Sequence, residues 1–221
     1  MQKIDRGSRR NTRNRFIASV VSLFLLSGLM LLSPRSGIAK GDAENGQAKA
    51  LTCSACHGQD GNSLNPEWPN LAGQHEKYIV KALRSYKDGT RDVVLMASQA
   101  AGLSEQDMED VAAYFSSQTL ARQTADPALV KQGERLYRGG DMDRGISACI
   151  GCHGPSGRDN PSAGFPALAG QHATYIANQL LAYRANTRQT DADVDQVMRN
   201  VSALLSEAEI KAVASYIQGL H

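Results

Sequence analysis

Cys53-Ser54-Ala55-Cys56-His57 and Cys149-Ile150-Gly151-Cys152-His153 spell C-x-x-C-H twice in one chain. No other feature restricts what the chain can fold around so tightly. The pattern is that of c-type haem attachment. Two thiols a short turn apart each bond one vinyl-derived carbon of the same porphyrin, and the adjacent histidine is placed under the iron. Cys53, Cys56, Cys149 and Cys152 are therefore expected to hold two haem c groups covalently, with His57 and His153 as proximal iron ligands. These four are all the cysteines of the chain. Two disulfides would leave both adjacent histidines unexplained. A structural zinc site places its second C-x-x-C about 15 to 20 residues after the first, and a thioredoxin-like dithiol needs a βαβ setting that this helical sequence lacks.

The motif sits in a repeat. Leu71-Ala72-Gly73-Gln74-His75 recurs as Leu168-Ala169-Gly170-Gln171-His172, and Tyr78, Leu83, Tyr86 and Arg91 recur 97 residues later as Tyr175, Leu180, Tyr183 and Arg188. Five extra residues around Asp191, Asp193 and Asp195 lengthen the second copy. Two copies of this size read as tandem domains rather than a solenoid. Their expected spans are 40–120 and 121–221, with Asp126-Pro127 as the cap and first residue of a new helix. Each copy predicts a helix leading into the haem motif (43–51 and 127–138), a helix after L-A-G-Q, and a last helix starting at Ser104 or Ser206. Tyr78, Ile79, Ala82, Leu83 and Tyr86 share one helical face. Ser206 with Glu209, and Ser104 with Asp107, form capping boxes, stapled by Leu205 with Ile210 and Leu103 with Met108. No segment alternates as a strand would. The expected fold class is all-α.

Residues 1–39 read as a secretory signal peptide. A basic leader (Arg6, Arg9, Arg10, Arg13, Arg15) precedes an uncharged run from Phe16 to Leu32, and Gly37 and Ala39 offer small residues for cleavage. That run has 17 residues, the short edge for a membrane span, so an uncleaved anchor is the alternative. The leader carries +6 of a chain whose net charge is +2, so residues 40–221 carry −4. The basic pI thus belongs to the leader and gives no ground for nucleic-acid binding. The acidic excess falls entirely in residues 40–120, which hold 7 basic and 11 acidic side chains against 10 of each in 121–221. Such an asymmetry either orients the protein towards a charged partner or is a solvated surface.

The second axial ligand of each iron is expected from Met96 and Met198. Each lies seven residues before the Leu of a Leu-Ser pair, in what reads as a loop, and Met/His is a known c-type pairing. Met108 reads as core and Met142 lies in an insertion without counterpart. His75 and His172 are the rival ligands, although a surface or capping role is more economical.

With C-x-x-C-H, P-x-L-A-G-Q, the Met before Leu-Ser and the doubled layout in place, the chain resembles the bacterial di-haem cytochromes c4 from about Gly41 to Leu220. The resemblance implies two class I cytochrome c domains related by a pseudo-two-fold axis, with haems approaching at their interface. It implies a periplasmic electron carrier rather than an enzyme, peripherally associated with the membrane, which takes electrons from a donor complex and passes them to a terminal oxidase. We expect a monomer. It also implies that Pro69 and Pro166 offer their carbonyls to the proximal histidine rings. Leu95 and Gln99 stand where the family often carries further Met, which leaves Met96 as the local ligand.

Overall fold

The computed structural model describes residues 40–221; the signal-peptide reading of 1–39 lies outside them. The described residues contain ten α-helices and no strand, only an isolated bridge between Asp141 and Ile146. The first half holds α1 (Ala43–Lys49), α2 (Leu51–His57), α3 (Glu76–Lys87), α4 (Val94–Ala101) and α5 (Glu105–Ser117). The second repeats them as α6 (Pro127–Gly139), α7 (Ile150–His153), α8 (Ala173–Arg184), α9 (Val197–Leu204) and α10 (Glu207–Gln218). Among the described residues no helix is long and apolar enough to cross a membrane.

Each half has its own core. Ile79, Leu83, Met108, Val111 and Phe115 form the first, and Leu136, Tyr137, Ile210, Val213 and Ile217 the second. The first and last helices of each half cross at a glycine. A Cβ on Gly46 would lie 2.0 Å from the Asp110 carbonyl oxygen, and one on Gly133 would lie 2.3 Å from that of Ala212. Any larger residue would push the helices apart and open the core, which is costly because interiors are close-packed. The first expected helix stops at Lys49, two residues before its expected end, and a separate helix starts at Leu51. Ala50 is buried at the break, closing α1 through Gly46 and opening α2 through bonds from Cys53 and Ser54 to its carbonyl. The break gives the haem motif a helix of its own.

The start signals act as their chemistry predicts. Asp126 caps α6 by accepting from the Ala128 N–H at 2.9 Å. Both capping boxes form. In the second, Glu209 accepts from Ser206 N–H at 2.9 Å and also from Arg144 Nη1 at 2.7 Å. The Arg144 guanidinium and then the Ser206 N–H hold its carboxyl down to about 2, below the usual 4.5. A depressed carboxyl pKa adds stability above the unfolded value and loses it as pH falls through the folded one. Glu209→Gln should therefore cost about 1–2 kcal/mol at pH 7, discounted for the half-exposed Arg144. The gap from wild type in urea midpoints should shrink between about pH 5 and pH 2. A gap constant with pH would detach the effect from the charge.

Candidate functional site

Cys53 and Cys56 lie one turn apart on α2, and His57 is its last residue, where Gly58 turns the chain at φ +79°. Cys149 caps α7, Cys152 lies on it, and His153 ends it before Gly154 at φ +73°. Both histidines are buried. His57 Nδ1 lies 2.9 Å from the Pro69 carbonyl oxygen, and His153 Nδ1 lies 3.2 Å from that of Pro166. Burial lowers the pKa of both rings, and the proline carbonyls offset this only in part. The neutral ring is thus favoured. Its Nδ1–H donates to the carbonyl, and the Nε2 lone pair is left for a metal. This is the supporting bond that fixes the orientation and basicity of a ligating histidine.

All eight residues singled out above line one apolar cavity of about 500 Å³: Cys53, Cys56, His57 and Met96 from the first half, Cys149, Cys152, His153 and Met198 from the second. The methionines sit on short helices, α4 and α9, where the sequence reading expected loops. The run Leu95-Met96-Ala97-Ser98-Gln99-Ala100-Ala101 is rich in strong helix formers, and helix formation places Met96 against the first core and Met198 against the second. Met108 is fully buried in the first core and Met142 is 82% exposed.

His75 and His172 are engaged elsewhere, and neither caps its helix through its side chain. The His75 ring nitrogens lie 2.9 Å from the Phe165 carbonyl and 3.0 Å from that of Arg158, both in the other half. His172 Nε2 lies 2.9 Å from the Ser63 carbonyl, again across the halves. These are bonds between domains, not the surface or capping roles expected for them.

Sequence reasoning missed a buried polar cluster in the same cavity. Arg91 Nη2 donates to Tyr175 Oη at 2.9 Å and Gln179 Oε1 at 2.7 Å. Arg188 Nη2 donates to Tyr78 Oη at 3.0 Å and Nη1 to Gln179 Oε1 at 2.7 Å. Each guanidinium also stacks on an aromatic ring, Tyr86 at 4.7 Å and Tyr183 at 4.6 Å. The two arginines are 4% and 7% exposed, and among the described residues tyrosines and the other arginine, not carboxylates, are the ionisable groups acting on them. Burial would raise the Tyr78 phenol, yet Arg188 and Arg91 outweigh it and bring the group down to about 8. A buried charge needs a counter-charge. Haem carries two carboxylates, and a cavity with paired thiols, neutral imidazoles, thioethers and two unneutralised guanidiniums fits it. The available signal was in the repeat: polar residues kept at matching positions of both copies.

The cytochrome c family profile matches residues 43–119 and 130–221. With the two C-x-x-C-H motifs, this defines the class: an all-α c-type cytochrome with two covalently bound haem c groups, one in each repeat. The chain is 52% identical over 202 residues to cytochrome c4 of Pseudomonas aeruginosa, covering 91% of this chain and 98% of that one. It is 46% identical to cytochrome c4 of Azotobacter vinelandii, covering 92% and 99%. The crystal structure of reduced recombinant cytochrome c4 from Pseudomonas stutzeri superposes with a TM-score of 0.79 at 52% identity, over 82% of this chain and all of that one. The chain belongs to the cytochrome c4 family, whose members are di-haem electron carriers.

Proposed function

We propose that this chain is a periplasmic one-electron relay between a donor complex and a terminal oxidase, working as a monomer at the membrane surface and carrying out no bond chemistry of its own. The observation that carries the reading is the single cavity reached by both ligand sets. Covalently held haem supplies the redox chemistry; the protein sets potential, burial and contact with partners. We assign His57 with Met96 to one iron and His153 with Met198 to the other, so neither iron keeps an open position for a substrate. The covalent anchors are Cys53 with Cys56 and Cys149 with Cys152, within domains spanning 40–120 and 121–221. A neutral thioether and a dry, apolar pocket both disfavour the extra charge of Fe(III) and so raise the potential. The Gln74, Gln171, Arg91 and Arg188 bonds across the halves tie the two haem motifs together, and haems held there would keep a fixed relation, which favours fast transfer between them.

Stopped-flow reduction tests the relay. After one-electron reduction of the holoprotein, electrons should redistribute between the two haems faster than the oxidase turns over. Slower redistribution overturns the relay. Tight co-purification with a dehydrogenase or oxidase would instead make the chain a fixed subunit.

A further inference from the structure

Gln74 and Gln171, the last residues of the two P-x-L-A-G-Q stretches, are buried and each reaches the opposite half. Gln171 Oε1 accepts from Asn70 N–H at 2.9 Å, and Gln171 Nε2 donates to the Asn70 carbonyl at 2.9 Å. Gln74 repeats this on Ala167, accepting its N–H at 2.7 Å and donating to its carbonyl at 2.9 Å. Asn70 and Ala167 directly follow Pro69 and Pro166. The N–H that each glutamine accepts therefore belongs to the same peptide group as the proline carbonyl facing a proximal histidine. Two chains of bonds result. One runs from His57 Nδ1–H to Pro69 C=O, through the peptide to Asn70 N–H, and on to Gln171. The other runs from His153 through the Pro166–Ala167 peptide to Gln74.

We propose that the two glutamines are crossed positioning residues: Gln171 of the second half tunes the proximal ligand of the first haem, and Gln74 of the first half tunes that of the second. An acceptor on a peptide N–H polarises the group and makes its carbonyl a stronger acceptor, since linked hydrogen bonds reinforce one another. A stronger acceptor at Nδ1–H makes the imidazole a more basic ligand, which favours Fe(III). Each half thus holds down the potential of the other's iron. The inference rests on His57 and His153 being the proximal ligands.

The test uses the holoprotein, with a redox titration followed by NMR resonances assigned to each haem. Gln171→Met should raise the potential of the haem held by Cys53 and Cys56 and leave the other in place. The expected size is a two- to threefold change in its Fe(II)/Fe(III) ratio at fixed potential, about 20–30 mV at 59 mV per tenfold. The His57 Nδ1–H resonance should move upfield. Gln74→Met should do the same to the haem held by Cys149 and Cys152. Loss of docking alone would wet the pockets and lower potentials, the opposite sign. Lys77→Met, which removes a 2.6 Å bond to the Ser162 carbonyl across the halves but outside either chain of bonds, should shift neither. If Gln171→Met fails to assemble, Gln171→Glu keeps a stronger acceptor and should move the His57 resonance downfield. A shift on the variant's own haem, equal shifts on both, or no movement of the His57 resonance overturns the proposal. Failure of the ligand assignment would appear separately, as proximal histidine signals missing from the wild-type spectrum.

Discussion

Met198→Ala drops the potential of the haem in the second half on the order of 0.1–0.3 V, out of the roughly 0.8 V that axial ligands span. Met198 lies on α9 against the second core and lines the cavity that His153 also reaches. If its sulfur is the distal ligand proposed above, removing it takes away a soft neutral donor that favours Fe(II). Attachment survives, because Cys149, Cys152 and His153 are untouched. The vacated position becomes open to carbon monoxide, which the parent should not bind. Met96→Ala should do the same in the first half. Exposed Met142 and buried Met108 are the controls, and alanine at either should shift no potential by more than a small fraction of that amount. Met108→Ala should instead cost about 2–5 kcal/mol of stability, as core truncations do. If Met198→Ala leaves both potentials and spectra unchanged, the sulfur assignment fails.

Arg91→Met should lower both potentials together, unlike the one-sided effect of a lost methionine. The Arg91 guanidinium lines the shared cavity with no carboxylate of the described chain beside it. A unit charge at roughly 10 Å and an effective dielectric of about 20 is worth about 1.7 kcal/mol, or about 70 mV for one electron. Positive charge favours the less charged Fe(II), so its loss favours Fe(III). Arg91→Lys separates charge from geometry. It keeps the cation and should hold the potentials near wild type, yet it lacks the fork that reaches Tyr175 and Gln179 together. Its cost should appear in the thermal midpoint. Potentials indifferent to Arg91→Met would mean that the cavity does not feel this charge.

The haem attachment motifs were legible because their chemistry dictates spacing. Cys53 with Cys56, and Cys149 with Cys152, stand two residues apart because one porphyrin takes both thiols, and the proposed ligands His57 and His153 follow directly. The helix starts were legible for the same reason: Ser104 with Asp107 and Ser206 with Glu209 act within one turn. Residues whose partners lie some 85 to 110 positions away were not. Helical periodicity marks Tyr78 as facing inward, but only the packed chain shows that it meets Arg188. Gln74 read only as part of the repeated L-A-G-Q stretch, and its amide is satisfied by a peptide of the other copy. Met96 reads as lying in a loop, whereas its neighbours Leu95, Ala97, Gln99, Ala100 and Ala101 are helix formers and carry it on α4.

The reciprocal contacts between the halves carry a consequence for ancestry and drift. Gln74 meets Ala167 as Gln171 meets Asn70, and Arg91 meets Tyr175 as Arg188 meets Tyr78. Residue i meeting j while j meets i is the signature of a two-fold homodimer, here written into one polypeptide. In a true dimer every mutation strikes the interface twice. In a fused pair it strikes once, so each copy is free to specialise. The extra loop of the second copy has used that freedom: Asp193 reaches Lys81 at 2.8 Å, a contact without a mirror image. Selection can therefore set apart two centres that began identical.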